Sequence, residues 1–126
     1  MDWSNKTILI AEDEDSNYLY LEAVLQKTGA TLIWARSGEE AIEACKQNPN
    51  IDLVLMDLQM PNINGYEARQ QIKSLYPEIP QIAQTAFAMA DDEKRAMDAG
   101  FDAYISKPIR KGNLLAIVGR FLGPLE

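Results

Sequence analysis

The stretch IDLVLMDLQMPNING, Ile51 to Gly65, joins an apolar run to a carboxylate. Leu53, Val54, Leu55 and Met56 have the composition of a strand covered on both faces. The run ends on Asp57, and two turn signals follow, Met60-Pro61 and Asn64-Gly65. A strand of this kind belongs to the middle of a parallel sheet, and its acidic tip raises the question of what the sheet delivers there.

Similar runs recur along the chain. They are TILIA (Thr7 to Ala11), TLIWA (Thr31 to Ala35), DLVLM (Asp52 to Met56), QIAQT (Gln81 to Thr85) and AYISK (Ala103 to Lys107). Helical segments lie between them. SGEE, Ser37 to Glu40, reads as a capping box, with Glu40 three residues after the capping serine. Asp91, Asp92 and Glu93 suit the positive end of another helix, which Gly100 would close. Leu114, Ile117, Val118, Phe121 and Leu122 form an apolar stripe at helical spacing. Asp15, Ser16 and Asn17 are expected to start the first helix, with Asn17 near the strand tips. Five strands alternating with five helices predict a doubly wound parallel sheet with helices on both faces. No linker divides the chain, so residues 1–126 are read as a single domain.

Composition narrows the function. With 47% hydrophobic and 25% charged residues the chain resembles an ordinary globular protein. No apolar run approaches the roughly 20 residues that cross a bilayer, and MDWSNK lacks the basic-then-apolar pattern of a secretion signal. A cytoplasmic location is expected, either free or as the cytoplasmic part of a membrane-anchored protein. The single cysteine, Cys45, excludes an internal disulfide and is expected simply to pack beside Ala41 and Ile42. A net charge of −7 argues against binding nucleic acid. The absence of histidine removes His-based metal sites and nucleophile pairs.

Ligands of open parallel sheets bind beyond the carboxyl ends of the strands. Those ends carry Glu12-Asp13 after strand one, Asp57 after strand three, Thr85 on strand four and Lys107 on strand five. Strand two ends in Ala35-Arg36 and brings no obvious chemistry, which an edge position in the order 2-1-3-4-5 explains. Strands one and three are then neighbours, and their carboxylates share a crevice. Two unit charges about 4 Å apart repel by roughly 4 kcal/mol at an effective dielectric near 20. That is large against a domain stability of about 5–15 kcal/mol. A bound cation offsets it, and hard oxygen donors in an incomplete cage suggest Mg²⁺. Rigid placement at the end of a buried strand suits Asp57 as a nucleophile toward phosphorus. Lys107 can pair with phosphoryl oxygens, and the Thr85 hydroxyl can donate to one.

At this point the residues resemble a known family. Glu12-Asp13, the MDLQMPNING segment around Asp57, QTA with Thr85 and YISKP with Lys107 occur in the order and spacing of the receiver domain of two-component response regulators. The resemblance covers essentially the whole chain and implies the flavodoxin-like form of the fold. The TAFAMADDEKRAMDAGFDAYISKPI stretch is most similar to receivers of hybrid sensor histidine kinases and multistep phosphorelays. The resemblance implies that Asp57 is the phosphoacceptor, taking a phosphoryl group from a phosphohistidine on a histidine kinase or a histidine phosphotransfer protein. It implies Mg²⁺ held by Asp13, Asp57 and the backbone carbonyl of Gln59, with Glu12 acting directly or through water. Thr85 and Tyr104 become a switch pair that alters the face of helix four, strand five and helix five, where a downstream protein would bind. Gln59 and Phe87 occupy positions that modulate the lifetime of the acyl phosphate. The Lys107-Pro108 bond is expected to be cis. Glu12 stands where many relatives have Asp, and Asn64 where Asp is common.

Other readings compete less well. EDEDSN invites a calcium-loop reading, but a loop starting at Asp13 would need Gly and Glu where Tyr18 and Val24 stand. A haloacid-dehalogenase-type phosphatase would place its nucleophile at Asp13 and leave Asp57 unexplained. A non-phosphorylated interaction module on the same fold would be expected to lack the acceptor, metal or lysine position, and none is missing. The expected activity is catalysis of the chain's own phosphorylation and slow dephosphorylation rather than conventional turnover.

Overall fold

The computed structural model describes residues 2–60, 63–86 and 90–125. Pro61 and Phe87 lie outside the described residues. Along the chain run β1 (Thr7–Ala11), α1 (Asp15–Gln26), β2 (Thr31–Ala35), α2 (Gly38–Gln47), β3 (Leu53–Asp57), α3 (Gly65–Leu75), β4 (Gln81–Thr85), α4 (Ala90–Asp98), β5 (Ala103–Ser106) and α5 (Lys111–Leu122). The strands form one parallel sheet in the order β2-β1-β3-β4-β5, as the sequence predicts.

Side chains alternate across the sheet, so each inner strand feeds two cores. Ile8, Ile10, Leu53, Leu55 and Ile82 pack with Leu21, Leu25, Leu114 and Val118 of α1 and α5. Leu9, Val54, Met56 and Ala83 pack on the opposite face with Ile42, Ala68 and Ile72 of α2 and α3. Every residue of β3 is buried, whereas β2 is largely half-exposed, as befits an edge. In α5 the stripe buries Leu114, Val118 and Leu122, with Ile117 and Phe121 at its margin. Cys45 is buried in the second core, where burial pushes its thiol up to about 11. The expectation of simple packing holds.

The observed element ends sharpen those read from the sequence. β3 begins one residue later than expected because Asp52 is occupied at the strand entrance, its carboxylate accepting from the Thr7 N–H at 2.9 Å. It continues through Asp57, which is therefore a strand residue. β5 stops at Ser106, although the Lys107 N–H still reaches the Thr85 carbonyl at 2.7 Å. Pro108 has no N–H with which to extend the ladder, and the Lys107-Pro108 bond is cis. The Ser37 side chain accepts from the Glu40 N–H as a cap should, but Glu40 returns its carboxylate to the Arg36 N–H at 3.0 Å, one residue before the cap. Asn64 caps α3 by accepting from the Glu67 N–H. Gly100 ends α4 with φ +103, in the left-handed region that glycine enters without steric cost.

Candidate functional site

The carboxyl ends of β1, β3, β4 and β5 converge on one crevice. Asp57 is only 2% exposed and held at the tip of β3. Its Oδ1 accepts from the Gln59 N–H at 2.9 Å, and its Oδ2 lies 3.2 Å from Lys107 Nζ. Rigid placement follows from local structure. The Leu58 N–H bonds to the Gln84 carbonyl on β4, and Gly65 at the start of α3 lies tight against the peptide that follows Asp57. A Cβ on Gly65 would stand 2.5 Å from the Asp57 carbonyl oxygen.

Glu12 follows β1 and is fully buried. Its backbone is fixed twice, by its N–H to the Ala35 carbonyl and by the Trp34 indole donating to its carbonyl at 2.8 Å. Its carboxylate is held at both oxygens. Oε2 accepts from the Glu14 N–H at 3.1 Å, while Oε1 accepts from the Asn17 side-chain amide and lies 3.3 Å from Lys107 Nζ. Asp13, beside it, is partly exposed. One carboxylate oxygen from each of Glu12, Asp13 and Asp57 can be chosen so that all lie within 4.8 Å of one another. The expected acidic cluster is present, and oxygen donors at this spacing fit a hard divalent cation.

Lys107 bridges the two buried acids, with Glu14 a further 3.8 Å neighbour. Burial alone would pull its ammonium down. The charges of Asp57 and Glu12 outweigh that and hold it above the ordinary lysine value. Glu12 is pushed up, first by burial and then by the neighbouring Asp57 carboxyl, against the smaller opposing effect of Asn17. An open depression of about 390 Å³ beside Lys107 is lined by Glu14, Ser16, Asn17, Tyr20, Pro108 and Ile109.

Of the other predicted residues, Thr85, Tyr104 and Gln59 fall among those described. Thr85 is buried at the end of β4, next to Gln84, whose register partner on β3 is Asp57. Tyr104 on β5 pairs in register with Ala83, so Thr85 and Tyr104 are diagonal neighbours on one sheet face. Tyr104 is half-buried, and its hydroxyl is pushed up by burial and by the charges of Asp92 and Glu93. Gln59 is exposed.

Two contributors escaped the reading of the sequence. Trp34 stacks on Tyr18 at 3.8 Å between ring centres, with the Arg36 guanidinium on its ring, and anchors Glu12. Gln84 is fully buried beside the acids. A glutamine inside an otherwise buried strand was the available signal, since buried polar side chains persist where they are hydrogen-bonded.

An open parallel sheet with a lysine-bridged acidic crevice beyond its strand ends defines an α/β protein whose ligand site lies at a topological switch point. The sequence pattern of the response regulator receiver domain matches residues 8–119, and the chain belongs to that family. It is 37% identical over 120 residues to the polar-differentiation response regulator DivK of Brucella ovis, covering 94% of this chain and 97% of that one. Among solved structures it is similar to the receiver domain of the sensor histidine kinase PA1611 of Pseudomonas aeruginosa, which has a magnesium ion coordinated in its active-site cleft. That match has a TM-score of 0.85 and 30% identity, covering 94% of this chain and 98% of the other. It is also similar to the Ssk1 receiver domain of Saccharomyces cerevisiae, crystallised with the histidine phosphotransfer protein Ypd1. There the TM-score is 0.85 and the identity 26%, covering 92% of this chain and 88% of the other. No helix among the described residues is long and apolar enough to cross a membrane.

Proposed function

We propose that this receiver domain, taken as one unit over residues 1–126, carries a phosphoryl group on Asp57. An oxygen of Asp57 attacks the phosphorus of a phosphohistidine on a partner protein. The P–O bond forms as the P–N bond breaks, and the imidazole leaves with the bonding pair and takes up a proton. The product is an acyl phosphate. Lys107 stays with the phosphoryl oxygens, and the Thr85 hydroxyl donates to one of them. Glu12, Asp13, Asp57 and the Gln59 backbone carbonyl would hold Mg²⁺, which when bound supplies positive charge against both the crowded carboxylates and the phosphoryl oxygens. The observation that carries the reading is the convergence of Asp57, Glu12 and Lys107 within 3.2 to 3.3 Å contacts in a carboxylate cluster of ion-binding size.

The partner is a histidine kinase or histidine phosphotransfer protein, a reading supported by the complex of the similar Ssk1 receiver with Ypd1. Drawing Thr85 toward the phosphoryl group lets Tyr104 turn inward and changes the face of α4, β5 and α5 for a downstream protein. A depression of about 330 Å³ on that face is lined by Glu93, Tyr104, Ser106, Asn113 and Ile117. Gln59, with Phe87, governs how readily water reaches the acyl phosphate. The domain works in the cytoplasm, touching neither nucleic acid nor membrane.

The test is transfer from a ³²P-labelled phosphohistidine donor, with Mg²⁺ or with excess chelator. Label should reach the parent chain only with the metal and should be absent from Asp57→Asn. Label retained on Asp13, or turnover of free phosphomonoesters, would instead mark a phosphatase.

A further inference from the structure

Gln84 is an odd residue for its place. It lies on the same sheet face as Ile82, a core position, and none of it reaches solvent. Among the described residues its Nε2 makes no hydrogen bond. An apolar side chain there would leave no buried donor unmet, so packing alone does not account for an amide.

Its other atoms point to the reason. Oε1 of Gln84 lies 3.5 Å from Asn17 Nδ2, and the same Nδ2 donates to Glu12 Oε1. The main-chain carbonyl of Gln84 accepts from the Leu58 N–H at 2.9 Å, the peptide next to Asp57. One residue of β4 therefore secures the tip of β3 directly and reaches the acid beyond β1 through the first turn of α1. Glu12 needs such help. A glutamate has one more rotatable bond than an aspartate, and a carboxylate left to wander must lose that freedom on meeting an ion. With Oε2 tied to the Glu14 N–H, fixing Oε1 through Asn17 locks the whole side chain.

We propose that Asn17 and Gln84 are positioning residues that hold Glu12 in the orientation required by a divalent cation, acting in series. This rests on the reading of the acidic cluster as a Mg²⁺ site. The side chain of Gln84 orients Asn17, Asn17 orients Glu12, and neither amide touches the ion.

Calorimetric titration of Mg²⁺ and thermal melts of the metal-free protein test this in the parent, Asn17→Ala, Gln84→Met and the double variant. Asn17→Ala should weaken Mg²⁺ binding by roughly tenfold, as expected for a partner that orients a ligand. Gln84→Met should weaken it several-fold while the melting temperature stays level or rises, because the unmet donor is gone. A residue present only for structure would show the reverse. The double variant should bind no more weakly than Asn17→Ala, the mark of a series arrangement. Gln84→Met keeps the test decisive if Asn17→Ala does not fold. Parent-like affinity in the variants, or losses that simply add in the double variant, overturns the inference alone. A parent chain that binds no Mg²⁺ overturns the functional reading, and this inference falls with it.

Discussion

Lys107 sits between two buried acids, 3.2 Å from Asp57 and 3.3 Å from Glu12, and its role divides according to what shares the crevice. Toward an incoming cation it is a competitor for the same oxygens. Toward a phosphoryl group, under the proposed function, it would be a partner. Lys107→Met should therefore bind Mg²⁺ at least as tightly as the parent by calorimetry, yet be phosphorylated slower by about 10²-fold, the scale of losing one preorganised electrostatic contact. Glu12 supplies the pH dependence. Its folded pKa lies above the ordinary value of 4.5, chiefly through burial. The stability this contributes is complete below that value and is lost as pH rises through the folded pKa, so ionising this acid in the folded chain is a cost. In melts of the metal-free protein, Glu12→Gln should raise the melting temperature more near pH 7 than near pH 4. An equal effect at both would contradict the shift.

At the scale of elements, the crevice depends on how closely helices approach the strand tips. Gly65 starts α3 with room for no side chain, since an added Cβ would stand 2.5 Å from the Asp57 carbonyl oxygen and 2.8 Å from Leu58 Cα. Gly65→Ala should cost about 1–3 kcal/mol in denaturant melts, the range for overpacking, and should slow phosphorylation by displacing the tip of β3. Gly112 on α5 faces open space, and Gly112→Ala should instead add up to about 1 kcal/mol through helix propensity. The elements themselves were legible because continuous apolar runs and helix-spaced stripes are local signals. Their ends were less so. The start of β3 depends on Asp52 meeting Thr7, and the capping carboxylate of Glu40 goes to Arg36, so each is decided by a contact that spacing alone does not fix.

Across the whole molecule, the order of strands and the residues at their tips could be read in advance because a parallel sheet forces all the carboxyl ends to one side. Glu12, Asp13, Asp57 and Lys107 meet there, as their positions in the sequence require. What escaped were side-chain ties between distant segments, which leave no periodic trace. The Trp3 indole reaches the Gly123 carbonyl at 2.9 Å, across nearly the full chain, and Gln84 reaches Asn17 from another layer of the fold. These contacts come from folding, and they brace the frame that aims the strand tips. The most direct test of that frame's purpose is the intact mass of the chain after incubation with acetyl phosphate and Mg²⁺. The parent should gain the mass of one phosphoryl group that hydroxylamine removes, and Asp57→Asn should gain none. Equal gain by Asp57→Asn, or no gain by a folded parent that binds Mg²⁺, would contradict the assignment of Asp57 as acceptor.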